Sequence, residues 1–143
     1  MSINTSKILL ALLSLSASLL MTGCASQKAP YMRYSFDETA RLKVESMAIL
    51  GKANQSYLKG EGGADSVMNG INSAYQDASL RSKNKESMRQ WETLLDANKG
   101  SMAGIMKQWK QYDTLSNAMI LQARIVIAGD FDRISRLEGN KSR

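Results

Sequence analysis

The sequence predicts an all-α fold: a small bundle of about four helices, one of them long and C-terminal, set behind a short tether. Three observations predict it. Apolar residues recur at intervals of three and four along most of the chain, the spacing of one helix face. No segment alternates convincingly like a strand, and the best β-like run, "ARIVIAG" at 123–129, only continues a helical stripe. Hydrophobic residues make up 43% of the 143-residue chain and charged residues 22%, a balance that suits one globular domain rather than a disordered chain.

The amino-terminal segment has an export layout. "MSINTSK" (1–7) is polar with one cation, Lys7, Ile8–Met21 carries no charge, and Thr22 and Gly23 are small. As a helix, Ile8–Met21 rises only about 21 Å against a hydrocarbon core of roughly 30 Å, too short for a permanent span. Its exit, Leu20-Met21-Thr22-Gly23-Cys24, resembles the lipobox of bacterial lipoproteins, with Gly23 typical before the cysteine and Met21 where leucine is usual. The resemblance covers residues 1–24. It implies that 1–23 is a cleaved signal peptide, that Cys24 carries a thioether-linked diacylglycerol, and that the new amino terminus is acylated. Such chains, at about 0.8 kcal/mol per buried methylene, go well beyond what stable anchoring requires. Ala25 stands where enterobacterial lipoproteins retained in the inner membrane have aspartate. By resemblance this implies the periplasmic face of the outer membrane, or the cell membrane in a Gram-positive host.

Residues 24–34 then form the lipidated tether, with the only proline, Pro30, inside it, and 35–143 the helical domain. Ten extended residues reach at most about 35 Å, which keeps the domain near the bilayer. "SFDE" (35–38) predicts a helix start, Ser35 capping backbone amides and Glu38 reaching back. Phe36, Ala40, Val44, Met47, Leu50, Tyr57 and Leu58 are expected on its inner face. "KGEGGAD" (59–65) is expected to end that helix, with Gly60 as a left-handed cap. A second helix begins at Asp65 or Ser66 with a stripe of Val67, Ile71, Ala74 and Ala78. Beyond the cationic turn "LRSKNK", a short third helix carries Met88, Trp91, Leu94 and Leu95 and ends near residues 98–100.

The fourth helix is expected over 101–128, on a stripe of Met102, Ile105, Trp109, Tyr112, Ser116, Met119, Ala123 and Val126. A break near Gly129-Asp130 would start an end piece with Phe131, Ile134 and Leu137 facing inward; otherwise the helix continues. The width of the stripe favours the central helix of a bundle, with self-association through 101–128 as the alternative.

The chemistry is bounded mostly by absence. Histidine does not occur, which removes Ser-His-Asp, Cys-His and HExxH arrangements. The single cysteine has no intramolecular partner. Of the nine methionines Met1 is the initiator and Met21 lies in the signal. The others, among them Met47, Met68, Met88, Met102, Met106 and Met119, lie on the apolar stripes without the tight clustering of copper sites and read as core filling. Trp91 and Trp109 read as core residues, while the pairs Glu92/Asp96 and Asp130/Asp132 read as caps and solvated faces. "KQWKQY" (107–112) interleaves cations and aromatics, yet an exported lipoprotein seldom meets nucleic acid, and none is expected as a partner. The formal charge of +6 is spread along the chain and reads as a solvated surface.

Sequence reasoning therefore expects no enzyme, no catalytic residue, no cofactor and no metal site. The one site residue is Cys24, the lipid attachment. The partners expected are membrane lipid, through acylated Cys24, and another envelope protein. The layout is similar to that of pilotins, small helical lipoproteins that guide secretion-channel subunits. The alternative is a structural or surface-exclusion lipoprotein that self-associates or contacts peptidoglycan.

Overall fold

A computed structural model describes residues 31–98 and 100–141. Those residues form helices and connecting turns only, with no strand among them. The helices are α1 (Arg33–Leu50), α2 (Tyr57–Leu80), α3 (Lys85–Leu95), α4 (Met102–Tyr112) and α5 (Asn117–Gly139). The all-helical bundle is thus as the sequence predicts. Its five helices make four rods, because α3 and α4 follow one another along α2. Tyr75 of α2 bonds Glu92 of α3, and Trp109 of α4 packs on Tyr57 and Gly60 at the other end of α2.

The rods run up and down in turn. α1 and α2 are antiparallel, with Leu42 against Gly70 and Ile49 against Gly63. α5 runs antiparallel to α1, with Phe36 beside Gly139 and Lys43 paired with Asp132. It is also antiparallel to α3, where Trp91 meets Phe131 edge to face, ring centroids 6.0 Å apart. One end of the bundle gathers the start of α1, the end of α2, the start of α3 and the end of α5. We call it the tether end. The other, distal end holds the turns at 51–56 and 113–116.

Several boundaries differ from the expected ones, each for a physical reason. α1 starts at Arg33, and Ser35 is not its cap: the Ser35 hydroxyl is buried without a hydrogen-bond partner, and its carbonyl accepts from Thr39 Oγ1. Glu38 pairs with Arg41 instead of reaching back. The inner face of α1 is Ser35, Thr39, Leu42, Ser46, Ile49 and Leu50, a stripe in which small hydroxyl residues take three places from hydrocarbon and Leu50 is inside as expected. Val44, expected inside, is 69% exposed, and Phe36 stands at the surface.

The glycine-rich stretch 59–65 is helical, inside α2. Gly60 is no cap. A Cβ there would lie 2.2 Å from the Trp109 ring, so the missing side chain is the seat of the indole. The ring makes the most of it: Trp109 is fully buried, its Nε1 donates to the Gln55 carbonyl at 2.9 Å, and Tyr57 meets it edge to face at 5.3 Å. Aromatic pairs of this kind are worth about 0.5–1.5 kcal/mol beyond the area they bury.

The expected helix over 101–128 is broken at Asp113–Ser116, and no break occurs at Gly129-Asp130, where α5 runs on to Gly139. Asp113 takes a left-handed backbone (φ 63), tolerated by a short polar side chain, and its carboxylate does the capping. It accepts from the Tyr57 amide at 3.0 Å and from the Ser56 hydroxyl at 2.8 Å, serving as N-cap for α2 from a distant part of the chain. Backbone bonds from Tyr57 to Asp113 and from Leu115 to Ala53 staple the two distal turns together. Ser116 then caps α5 by accepting from the Met119 amide.

Candidate functional site

Cys24, the lipid attachment residue, lies outside the described residues, as do the signal segment and residues 24–30 of the tether. Among the described residues no helix is long and apolar enough to cross a membrane. Four of the methionines pack as hydrocarbon, Met102 and Met106 buried and Met47 and Met68 leaning on the core, while Met32 and Met119 are exposed. Trp91 and Trp109 are core residues, as their stripe positions predicted. The paired acids do not face one another. Asp130 pairs with Arg133, Asp132 with Lys43, while Glu92 accepts from Tyr75. In "KQWKQY" the tryptophan is interior, Tyr112 is exposed, and Lys110 reaches Glu61 and the Tyr57 ring.

Two features stand out instead. The first is an apolar surface at the distal end. By the α1–α5 register, α1 gives out level with about Ile125, since both helices rise equally per residue. The first turns of α5 therefore overhang. They bury Ile120, Ala123 and Ile127 but leave Leu121 62% and Ile125 67% exposed, with Met119 and Val126 partly so. Beside them α4 and α5 touch only sparsely. A groove of about 380 Å³ opens there, floored by Ile105, Ala123 and Val126 and edged by Gln108 and Gln122. The other exposed large apolar side chains are Met32, Tyr34 and Phe36 around the start of α1, Val44 farther along it, Leu58 and Leu80 at the two ends of α2, and Tyr112 at the end of α4. Heptad spacing had placed Met119 and Val126 inside. They are outside because the chain turns at Asp113 and α5 restarts on a new phase.

The second feature is a buried charge centre at the tether end. Glu138 is fully buried and takes Lys141 Nζ at 2.5 Å and Arg81 at 3.2 Å. Lys141 also reaches the Asn84 side chain, which in turn donates to the Ala78 carbonyl at 2.9 Å. Burial pushes the Glu138 carboxyl up, but hydrogen bonds from Lys141 and Ser87 and the charges of Lys141 and Arg81 outweigh it, leaving its pKa below the ordinary value. Burial pulls the Lys141 ammonium down, more than Glu138 raises it. A simple ion pair would shift its partners in opposite directions. The carboxylate, held by two cations and a hydroxyl, is the group whose shift governs the cluster. Nothing in the sequence pattern marked it, because an acid one residue before a glycine reads as a solvated helix end.

The network joins α2, the α2–α3 turn, α3 and α5, and its bonds hold the tether end together. A cleft of about 260 Å³ beside it is lined by Lys83, Ser87, Leu137 and Asn140. No group of three or more potential ligands capable of holding a metal ion occurs among the described residues. Comparison of the chain with protein-family models, with curated proteins and with solved structures finds no match.

Proposed function

We propose that the chain is a lipid-anchored, non-enzymatic interaction module of the bacterial envelope, holding another envelope protein at the outer membrane's periplasmic face. The observation that carries this reading is the overhanging start of α5. The start of α5 leaves Met119 and Val126 along the groove and Leu121 and Ile125 on the adjoining flank, with Ala118 and Gln122 between them, an exposed apolar surface of the kind that marks a partner site. The occupant that suits the groove is the apolar face of a helix from that partner. An apolar floor between two helices with a neutral glutamine rim is the setting for helix-in-groove recognition.

The tether supports the same assignment. It joins the bundle at the start of α1, and the groove lies roughly 25 Å along α5 from that end, on the side of the bundle turned away from the anchor. Cys24 supplies the anchor by its lipobox resemblance, in keeping with pilotin-like layout.

A photocrosslinking residue at position 121 or 125, introduced into the chain in intact cells, tests the reading. The expected result is a single heterologous adduct at both positions, absent from position 58 and lost when the companion position is changed to aspartate. Adducts only between copies of this chain would replace the adaptor with a self-associating structural lipoprotein, and no position-specific adduct would end the docking reading. Fractionation of a Cys24→Ala chain tests the anchor separately, and the chain is expected to leave the membrane fraction.

A further inference from the structure

We infer that the tether end of the bundle is a headgroup-facing surface, its cations set against anionic phospholipid in the membrane that holds Cys24. The inference rests on the anchoring reading above and adds an orientation to it. Residues 25–32 reach at most about 28 Å when fully extended, so the start of α1 stays within that distance of the anchor. The end of α2, the start of α3 and the end of α5 are bound to one another there by the Glu138 network. All of them come down to the bilayer as one rigid cap.

The charge that cap exposes is positive. Lys83, Lys85 and Arg136 are exposed and make no ion pair among the described residues, and Arg33 is largely exposed as well. The acids nearby are already engaged: Asp37 with Arg33, Asp77 with Arg81, Glu86 with Arg89, and Glu138 with Arg81 and Lys141. Lys83 sits at the apex of the α2–α3 turn in a left-handed backbone (φ 60), a conformation more usual for glycine or asparagine. The cleft at the cap's centre opens beside it. Lys52 and Arg124 give the distal end free cations too, so charge alone would not choose between the ends. The tether chooses. Each basic side chain near an anionic leaflet favours contact about fivefold, and the gain falls away within a Debye length. With the cap down, the α4–α5 groove stands roughly 25 Å off the headgroups, facing the periplasm.

The test uses the mature lipidated chain in vesicles. Acylation occupies the only native cysteine, so a Ser82→Cys label reports the tether end and an Asn54→Cys label the distal turn. Each is read by a quencher carried on lipid headgroups. With anionic lipid present, the label at 82 is expected to be quenched several-fold more than that at 54. The difference should shrink at least fivefold in zwitterionic vesicles, at high salt, or with Lys83→Glu and Lys85→Glu together. Equal quenching at the two ends, or a difference that ignores both salt and charge reversal, overturns the orientation. Flotation of the same samples reports the anchor on its own. A chain that stays off the vesicles overturns the anchoring reading and the orientation built on it.

Discussion

The two halves of α5 are the most instructive pair of regions in the molecule. The C-terminal half lies between α1 and α3, buries Phe131 and Ile134 completely, and ends in a carboxylate held by two cations. The N-terminal half has lost α1 as a neighbour, touches α4 sparsely, and buries Ile120, Ala123 and Ile127 while leaving Met119, Leu121, Ile125 and Val126 exposed. One helix of continuous hydrogen bonding thus passes from a locked environment into an open one. Composition changes along α5, with Arg124 the one charged residue of 117–128 against Asp130, Asp132, Arg133, Arg136 and Glu138 in 129–139, and the apolar start is left open where α1 stops.

The largest expected effect tests whether the distal end holds together independently of the tether end. Trp109→Ala should cost about 4 kcal/mol, the usual toll of removing a fully buried aromatic, and thermal denaturation measures it. Amide exchange should rise first around α4 and the 51–56 turn, because the indole bonds the Gln55 carbonyl and fills the notch at Gly60. Uniform protection loss across α3 and the end of α5 would mean the halves are not separable.

Next in size is the charge centre. Glu138→Gln should cost about 3 kcal/mol at neutral pH, since Arg81 and Lys141 then stay buried without their anion. Because the folded Glu138 pKa lies below its unfolded value, its contribution is present above the ordinary carboxylate range and is lost as pH falls through the folded value. Urea midpoints between neutral and acid pH should therefore fall steeply for the parent chain and less for Glu138→Gln. Asp130 carries the opposite sign. Burial raises its pKa against the pull of Arg133, so its contribution declines as pH rises through the folded value, and Asp130→Asn should flatten nothing in acid but gain slightly at neutral pH.

A smaller effect, of opposite direction, is expected on α1. Ser46 is fully buried with no partner for its hydroxyl, and Ser46→Ala should raise stability by about 1 kcal/mol in the same denaturation assay. This residue also shows why part of the fold was hidden in the sequence. Stripes built from large side chains were legible: Trp91 and Leu94 on α3, Met102, Ile105 and Trp109 on α4, Val67 and Ile71 on α2. The stripe of α1 was legible only in part: Leu50 was placed inside, but Ser35, Thr39 and Ser46 hold three of its six buried places, and hydropathy pointed to Phe36 and Val44 on the wrong side. The glycines at 60 and 63 read as a turn for a related reason. Their service is to Trp109 and Ile49, residues distant in sequence that need a helix surface without Cβ atoms. The break at Asp113 escaped a heptad pattern that happens to run across it, since the carboxylate's partners Ser56 and Tyr57 lie on another rod. Of the exposed apolar residues on α5, Met119 and Val126 were visible in the stripe but Leu121 and Ile125 were not, and their exposure depends on the end of α1, which local spacing cannot report.

The smallest effect on stability should accompany the largest on binding. Leu121 and Ile125 each leave more than half of their surface in water, so Leu121→Ser with Ile125→Ser removes little buried area, and thermal unfolding should move by about 0.5 kcal/mol or less. If the two side chains are the ridge a partner helix packs over, each is a full methyl-rich contact in the complex and their joint loss should weaken association by about 2–4 kcal/mol. Titration of purified partner, once crosslinking supplies it, separates the two quantities in one pair of proteins. A double variant as stable as the parent but with undiminished affinity would assign the partner to another face. A variant that loses several kcal/mol of folding stability would show instead that the first turns of α5 belong to the core, and the contrast between its two halves would disappear.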